Sequence, residues 1–191
     1  MSEAEPPAAT EAPSLRARIQ RWLDAREKLG AKGRKTLKSV HVALACVWLG
    51  SAVALVLLQA INTSAYRDSV PGVTLCLKLI DDFLIIPSAA GSFLTGIVYG
   101  VWTKWGFFQF HWVTLKWIAT VAFILFGAFL LGPWINGMHA LAQSDVAAAL
   151  QSPDYQRSRL MVLIWGGLQT VGLVGLVFLS IFKPWGRREG R

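Results

Sequence analysis

The sequence predicts an all-α integral membrane protein: a transmembrane antiparallel four-helix bundle with a cytoplasmic N-terminal amphipathic helix. Three observations carry that expectation. Of the 191 residues, 54% are hydrophobic and only 16% charged, with a mean hydropathy of +0.46; a soluble domain is about a quarter charged. Four stretches, 39–66, 83–103, 117–144 and 160–182, contain no Asp, Glu, Lys or Arg. Each is about long enough to cross a ~30 Å hydrocarbon core at ~1.5 Å per residue. The remaining charge is lopsided, 19 Lys+Arg against 11 Asp+Glu for a formal net of +8.

Residues 1–13 (MSEAEPPAATEAP) are rich in Pro, Ala and Glu, lack large apolar side chains, and are expected to be disordered. Residues 14–38 form a basic amphipathic segment. Ser14 is placed to cap a helix in which Leu15, Ile19, Trp22 and Leu23 share one face, while Arg16, Arg18, Arg21, Asp24 and Arg26 lie on the other. Gly30 and Gly33 are expected to end it before a basic connector, Lys32 to Lys38. The transmembrane domain occupies 39–185. Its first helix is expected over about 39–61, and its second over about 76–101, after a turn at Ser69–Gly72. The third lies within 107–135, and the fourth over about 159–183, ended by Pro184 and Gly186. A short surface helix is expected within 139–151, with Pro153-Asp154 turning the chain back. Residues 186–191 are a basic tail. Some 38 mostly polar residues precede the first apolar run, so it reads as an anchor and not a secretory signal.

Orientation follows from the cations. The N-terminal segment (nine), Lys104, and the tail's Lys183, Arg187, Arg188 and Arg191 put 14 of 19 Lys/Arg on one side. Loops 62–74 and 136–158 hold Arg67, Arg157 and Arg159, and Lys78 and Lys116 fall within helices. The positive-inside rule puts both termini in the cytoplasm. Trp102, Trp105, Trp112 and Trp185 form the expected inner interfacial belt, and Trp134 marks the outer one. Partners are the lipid bilayer and, for the basic N-terminal segment, anionic lipids; nucleic acid is not expected, because such a segment ahead of a membrane helix serves orientation. Cys46 and Cys76 read as small hydrophobes, too few for a disulfide framework.

Several residues are candidates for chemistry. Ser88, Ser92, Gly96 and Gly100 on the second helix, and Cys46, Gly50 and Ala54 on the first, are spaced four apart. Such faces let helices approach closely; packing within the bundle is the simpler reading, an oligomer interface the other. Pro87 is expected to bend the second helix and free a carbonyl. His41, early in the first helix, and His111, early in the third, lie at similar predicted depth, where two imidazoles can ligate a haem iron or a metal between them. Two unrelated interfacial histidines are the plainer alternative. Lys116 lies about ten residues deep if the third helix starts near Phe107, at ~3 kcal/mol on insertion scales. Starting near Val113, it reaches the interface instead. Either placement gives a basic inner pocket for a carboxylate, a propionate or a lipid phosphate. His139 is expected in the solvated outer loop. Asp81 and Asp82 read as an interfacial turn paired with Lys78; the alternative is a carboxylate pair reaching toward Gln169 as a cation or proton site. No phosphate loop, His-Glu-x-x-His or Cys-x-x-Cys is present.

Three segments carry a family resemblance. They are H-V-A-L-A-C-V-W-L-G from His41, I-I-P-S-A-A-G-S-F-L-T-G from Ile85, and W-G-F-F-Q-F-H-W-V-T-L-K from Trp105. Across roughly 38–135 the chain resembles a family of small, uncharacterised bacterial four-helix integral membrane proteins. More distantly, it is similar to the copper-resistance D membrane proteins and the haem-dependent bacterial protoporphyrinogen oxidase. The second resemblance implies that His41 and Lys116 belong to a haem b site. Two functions follow as expectations: a non-enzymatic structural or accessory membrane protein with no catalytic residues, or a haem- or metal-binding redox protein using His41 with His111 or Lys116.

Overall fold

A backbone in lipid has no water to bond, so each segment must satisfy its own N–H and C=O groups, and a helix does this alone. The computed structural model describes Ser14, residues 30–102 and residues 110–185, apart from the side chains of 64–66. The readings of 1–13, of the amphipathic helix up to residue 29, of Lys104 and Trp105, and of the tail from 186 lie outside the described residues. Among those described, every element is helical. Four helices are long and apolar enough to span a membrane: Ala31–Ile61, Arg67–Trp102, His111–Ser144 and Pro153–Phe182. The chain is a multi-pass membrane protein. With 30 to 36 residues each, the spans extend well beyond a ~30 Å core, and their ends stand in the interfaces.

The helix ends fall earlier or later than the sequence predicts, each for an identifiable reason. The first span starts at Ala31, so Lys32–Lys38 form its first two turns and not a connector. Lys and Arg are good helix formers, and Gly33, expected to end a helix, instead lies in the first turn of this one. Ser69–Gly72 makes no turn. A 3₁₀ segment, Ser64–Ser69, runs into helix Val70–Ile80 with Pro71 in its first turn, where a missing N–H costs nothing. The third span runs on to Ser144, so 136–144 is helix. Asp145 then breaks the chain and caps a short helix, Val146–Gln151, accepting from the N–H groups of Ala147 at 2.7 Å and Ala148 at 3.1 Å. Pro153 opens the fourth span and does not reverse the chain.

The second and third spans each contain a wide π turn, Asp81–Ile85 and Gly127–Leu131. In both, a proline follows two residues after the last π residue: Pro87 and Pro133. A proline ring inside a helix collides with the carbonyl four residues back and lacks an N–H to bond it. Those carbonyls belong to Phe83 and Phe129. Widening the preceding turn relieves the collision without breaking the span.

The molecule is apolar outside and partly polar within. Phe83, Phe129, Val171 and Phe182 are about seven-tenths exposed, facing where lipid would lie, whereas Gln59, Asn62 and Thr74 are at most 1% exposed. Leu55, Leu77, Ile135, Met138, Tyr155 and Val162 pack together toward one end, and Trp48, Ala52, Ala89 and Leu173 form a second cluster. Ser88 and Ser92 are buried, as their stripe predicts. The matching stripe on the first span is not used that way. Cys46 and Gly50 are exposed, and that helix packs inward through Trp48, Ser51, Ala52, Leu55 and Gln59, which lie on a different face.

Two glycines show how tightly the spans meet. A Cβ on Gly91 would come within 2.9 Å of Leu44 Cδ1, and one on Gly172 would overlap the Phe123 ring. Gly175, one turn on, has open space around it. Gly172→Ala should therefore lower stability by about 1–3 kcal/mol through overpacking. Gly175→Ala should be neutral or mildly stabilising, as Ala is the better helix former. Denaturation of both variants in the same detergent checks this; equal effects would contradict the packing of the third span on the fourth.

Candidate functional site

Polar side chains gather at two levels of the bundle. At the end bearing Lys32–Lys38, His41 of the first span approaches Thr95 of the second, with Nδ1 2.8 Å from Oγ1. The Thr95 hydroxyl has one proton, and the Gly91 carbonyl takes it at 2.7 Å. A hydroxyl so engaged accepts from His41 when Nδ1 carries the ring proton. A Cβ on Gly96 would lie 3.7 Å from Trp117 Cζ2 and 3.9 Å from His41 Cε1. The first, second and third spans thus meet at this bare position, and Phe93 packs edge-on against Trp117 at 5.2 Å.

Lys116 belongs to the same cluster and is close enough to act on His41 electrostatically. Its Nζ donates to Ser180 Oγ of the fourth span at 2.8 Å, and Ser180 donates to the Leu176 carbonyl at 2.7 Å. The ammonium is thus held by a hydroxyl between helices. His111 stands apart, exposed in the first turn of its span, without a described contact to His41 or Lys116. The structure brings together two of the three residues singled out by sequence. Among the described residues no group of three or more His, Cys, Asp or Glu could hold a metal ion.

The second level lies toward the other end, and sequence reasoning misses most of it. Gln59 Nε2 donates to the Arg159 carbonyl at 2.9 Å and Asn62 Nδ2 to Gln59 Oε1 at 3.3 Å. The Tyr155 hydroxyl donates to Asn62 Oδ1 at 3.0 Å, and Arg159 Nε to the Asn62 carbonyl. The signal is faint but present: Tyr155 and Arg159 are four apart, hence on one helical face, and Gln59 and Asn62 interrupt an apolar run. His139, expected in a solvated loop, sits on the third span because the helix continues there. Its Nδ1 is 3.4 Å from Thr74 Oγ1, whose proton goes to the Pro71 carbonyl at 3.1 Å.

Lys78 pairs with Asp82 at 2.7 Å, as the spacing suggests, and also donates to Asn136 of the third span at 2.7 Å. Asp81 does not lie in an interfacial turn. The second span begins before residue 70, which puts Asp81 inside the bundle at 8% exposure. No family model, curated protein or solved structure matches the chain.

Asn62 is the hub of the far network, joined to Gln59, Tyr155 and Arg159. Tyr155→Phe should cost about 1 kcal/mol and Asn62→Ala more, because Tyr155 and Gln59 then both lose a bond, while Arg159, bonded to the Asn62 backbone carbonyl, keeps its own. The coupling between Tyr155 and Asn62 in a double-mutant cycle should be about 0.6–1.7 kcal/mol, as for polar contacts between membrane helices. A coupling of zero would remove the network from the bundle's stability.

Proposed function

We propose that the chain is a bacterial inner-membrane protein with four antiparallel crossings and both termini in the cytoplasm, acting as a non-enzymatic structural or accessory subunit. One observation carries this reading: polar side chains from all four spans are used to join helices. His41–Thr95 ties the first span to the second, Lys78–Asn136 the second to the third, and Lys116–Ser180 the third to the fourth. Gln59 and Asn62 tie the first to the fourth. The exposed cations Lys32, Arg34, Lys35 and Lys38 at the start of the first span support contact with anionic lipids on the cytoplasmic face.

A second reading, haem b binding, is favoured by the placing of His41 near Lys116. A neutral imidazole anchored through Nδ1–H with Nε2 free is the form that ligates iron. His41 fits one axial position and Lys116 the neighbourhood of a propionate. His111 is exposed and has no described contact with either. When bound, haem would supply one-electron chemistry; this chain's part would be to hold the ligand and offset charge. The resemblance to the copper-resistance D proteins and the oxidase belongs to this reading.

A visible spectrum of protein purified from haem-replete cells separates the two. The structural reading expects no Soret band, with none appearing on added haem. A Soret band lost in His41→Ala, weakened in Lys116→Met and unchanged in His139→Ala would establish the second. Reporter fusions at residues 68 and 191 should report outside and inside respectively; an active periplasmic reporter at residue 191 would overturn the orientation.

A further inference from the structure

A groove of about 530 Å³ opens between the first and second spans at the end that carries Lys32–Lys38, a size common among small-molecule sites. Its wall on the first span is Lys32, Gly33, Thr36, Leu37 and Val40, which the helical repeat sets on one face, and Val98 lines it from the second span. Beside it the two spans are fastened together. The Tyr99 hydroxyl donates to the Arg34 carbonyl at 3.4 Å, and the Tyr99 ring lies 6.3 Å from that of His41. Lys32 and Val40 are eight residues apart, about 12 Å along the axis at ~1.5 Å per residue. The groove therefore has a cationic end and an apolar end. Lys32 is exposed where the span begins, and Leu37, Val40 and Val98 lie deeper along the helices.

No carboxylate among the described residues stands at this end of the bundle. Stretches 30–61 and 83–102 of the two spans that form the groove contain no Asp or Glu, and neither do 110–120 and 160–185 of the other two. Lys35 and Lys38 are exposed on the same first turns and add to the charge of Lys32. The Thr36 hydroxyl gives its proton to the Lys32 carbonyl at 3.2 Å, so the donor that the groove offers is the Lys32 ammonium. A cation above an apolar channel matches an amphipath whose own charge is negative, and basic pockets between membrane helices bind anionic headgroups. We propose that this groove holds one anionic glycerophospholipid of the phosphatidylglycerol class, its phosphate at Lys32 and the upper part of one acyl chain along Leu37, Val40 and Val98. The proposal rests on the reading that the basic end meets anionic lipid in the cytoplasmic leaflet, and it replaces a diffuse attraction with one site. Residues 14–29 of the chain itself, with five cations against two carboxylates, repeat the groove's own sign of charge and are the poorer occupant.

The test uses the full chain in detergent, with phosphatidylglycerol or phosphatidylethanolamine of the same acyl chains added, and counts bound lipid by native mass spectrometry. The chain should retain one phosphatidylglycerol in preference to phosphatidylethanolamine. Lys32→Gln should weaken that binding about fivefold, the effect of one cation near a lipid surface. Lys38→Gln removes the same charge outside the groove and should leave the binding nearly unchanged. Val40→Phe fills the apolar end with every charge in place and should release the lipid. Val40 is 45% exposed, so the larger ring does not disturb the core, and Val98→Phe repeats the test from the second span. Inorganic phosphate, which has no chain to lay in the groove, should not displace the lipid. Equal losses in Lys32→Gln and Lys38→Gln, with no effect of Val40→Phe or Val98→Phe, would overturn the groove and leave only a diffuse attraction to anionic lipid. Displacement by phosphate would overturn it too, reducing the site to its charge. Equal retention of the two lipids would overturn the groove and the preference for anionic lipid together, and retention of neither would leave the groove to the chain's own residues.

Discussion

Membrane helices gain little by burying apolar surface against one another, because lipid tails are as apolar as leucine. Association then rests on close packing and on polar groups that find partners only between helices. This constraint organises the bundle. Its outer surface is Phe, Leu, Val and Ile, while Gln59, Asn62, Thr74 and Tyr155 are fully inside. Gln59, Lys78, Lys116 and Tyr155 each reach a polar group on another helix.

One device recurs at three places. His41 meets Thr95, Lys116 meets Ser180 and His139 meets Thr74; in each, the hydroxyl passes its own proton to a carbonyl of its helix. A hydroxyl bonded back to its helix stays satisfied by itself and still offers a lone pair to a neighbour. The arrangement lets an imidazole or an ammonium enter the bundle with no carboxylate beside it. Trp48 Nε1, Ser92 Oγ and Gln169 Oε1 are the exceptions, buried without a hydrogen-bond partner among the described residues.

The four spans are legible in the sequence, because the absence of charge over twenty or more residues has one physical meaning in a chain of this composition. Their ends are less legible. Pro71 and Pro153 look like turn residues, yet a proline in the first turn begins a helix as readily as it breaks one. That ambiguity hid the depth of Asp81 and the helical setting of His139. The π turns had a signal that spacing rules do not use: Phe83-Leu84-Ile85-Ile86-Pro87 and Phe129-Leu130-Leu131-Gly132-Pro133 repeat one pattern in two spans. The cluster of His41 with Lys116 follows from depth alone, whereas depth cannot say which way a side chain faces, and His111 is exposed. Cys46 and Gly50 teach the same lesson, since a small-residue stripe marks a face without saying what covers it.

The pairing of the spans is tested most directly by cysteine cross-linking in membranes, on a background without Cys46 and Cys76. Leu44 meets Gly91 of the second span, and Val56 meets Gly166 of the fourth, where a Cβ would stand 3.7 Å from Val56 Cγ2. The pairs Leu44→Cys with Gly91→Cys and Val56→Cys with Gly166→Cys should cross-link rapidly. The exchanged pairs, Leu44→Cys with Gly166→Cys and Val56→Cys with Gly91→Cys, should not. Cross-linking of the exchanged pairs in place of the matched ones would contradict this arrangement of the helices.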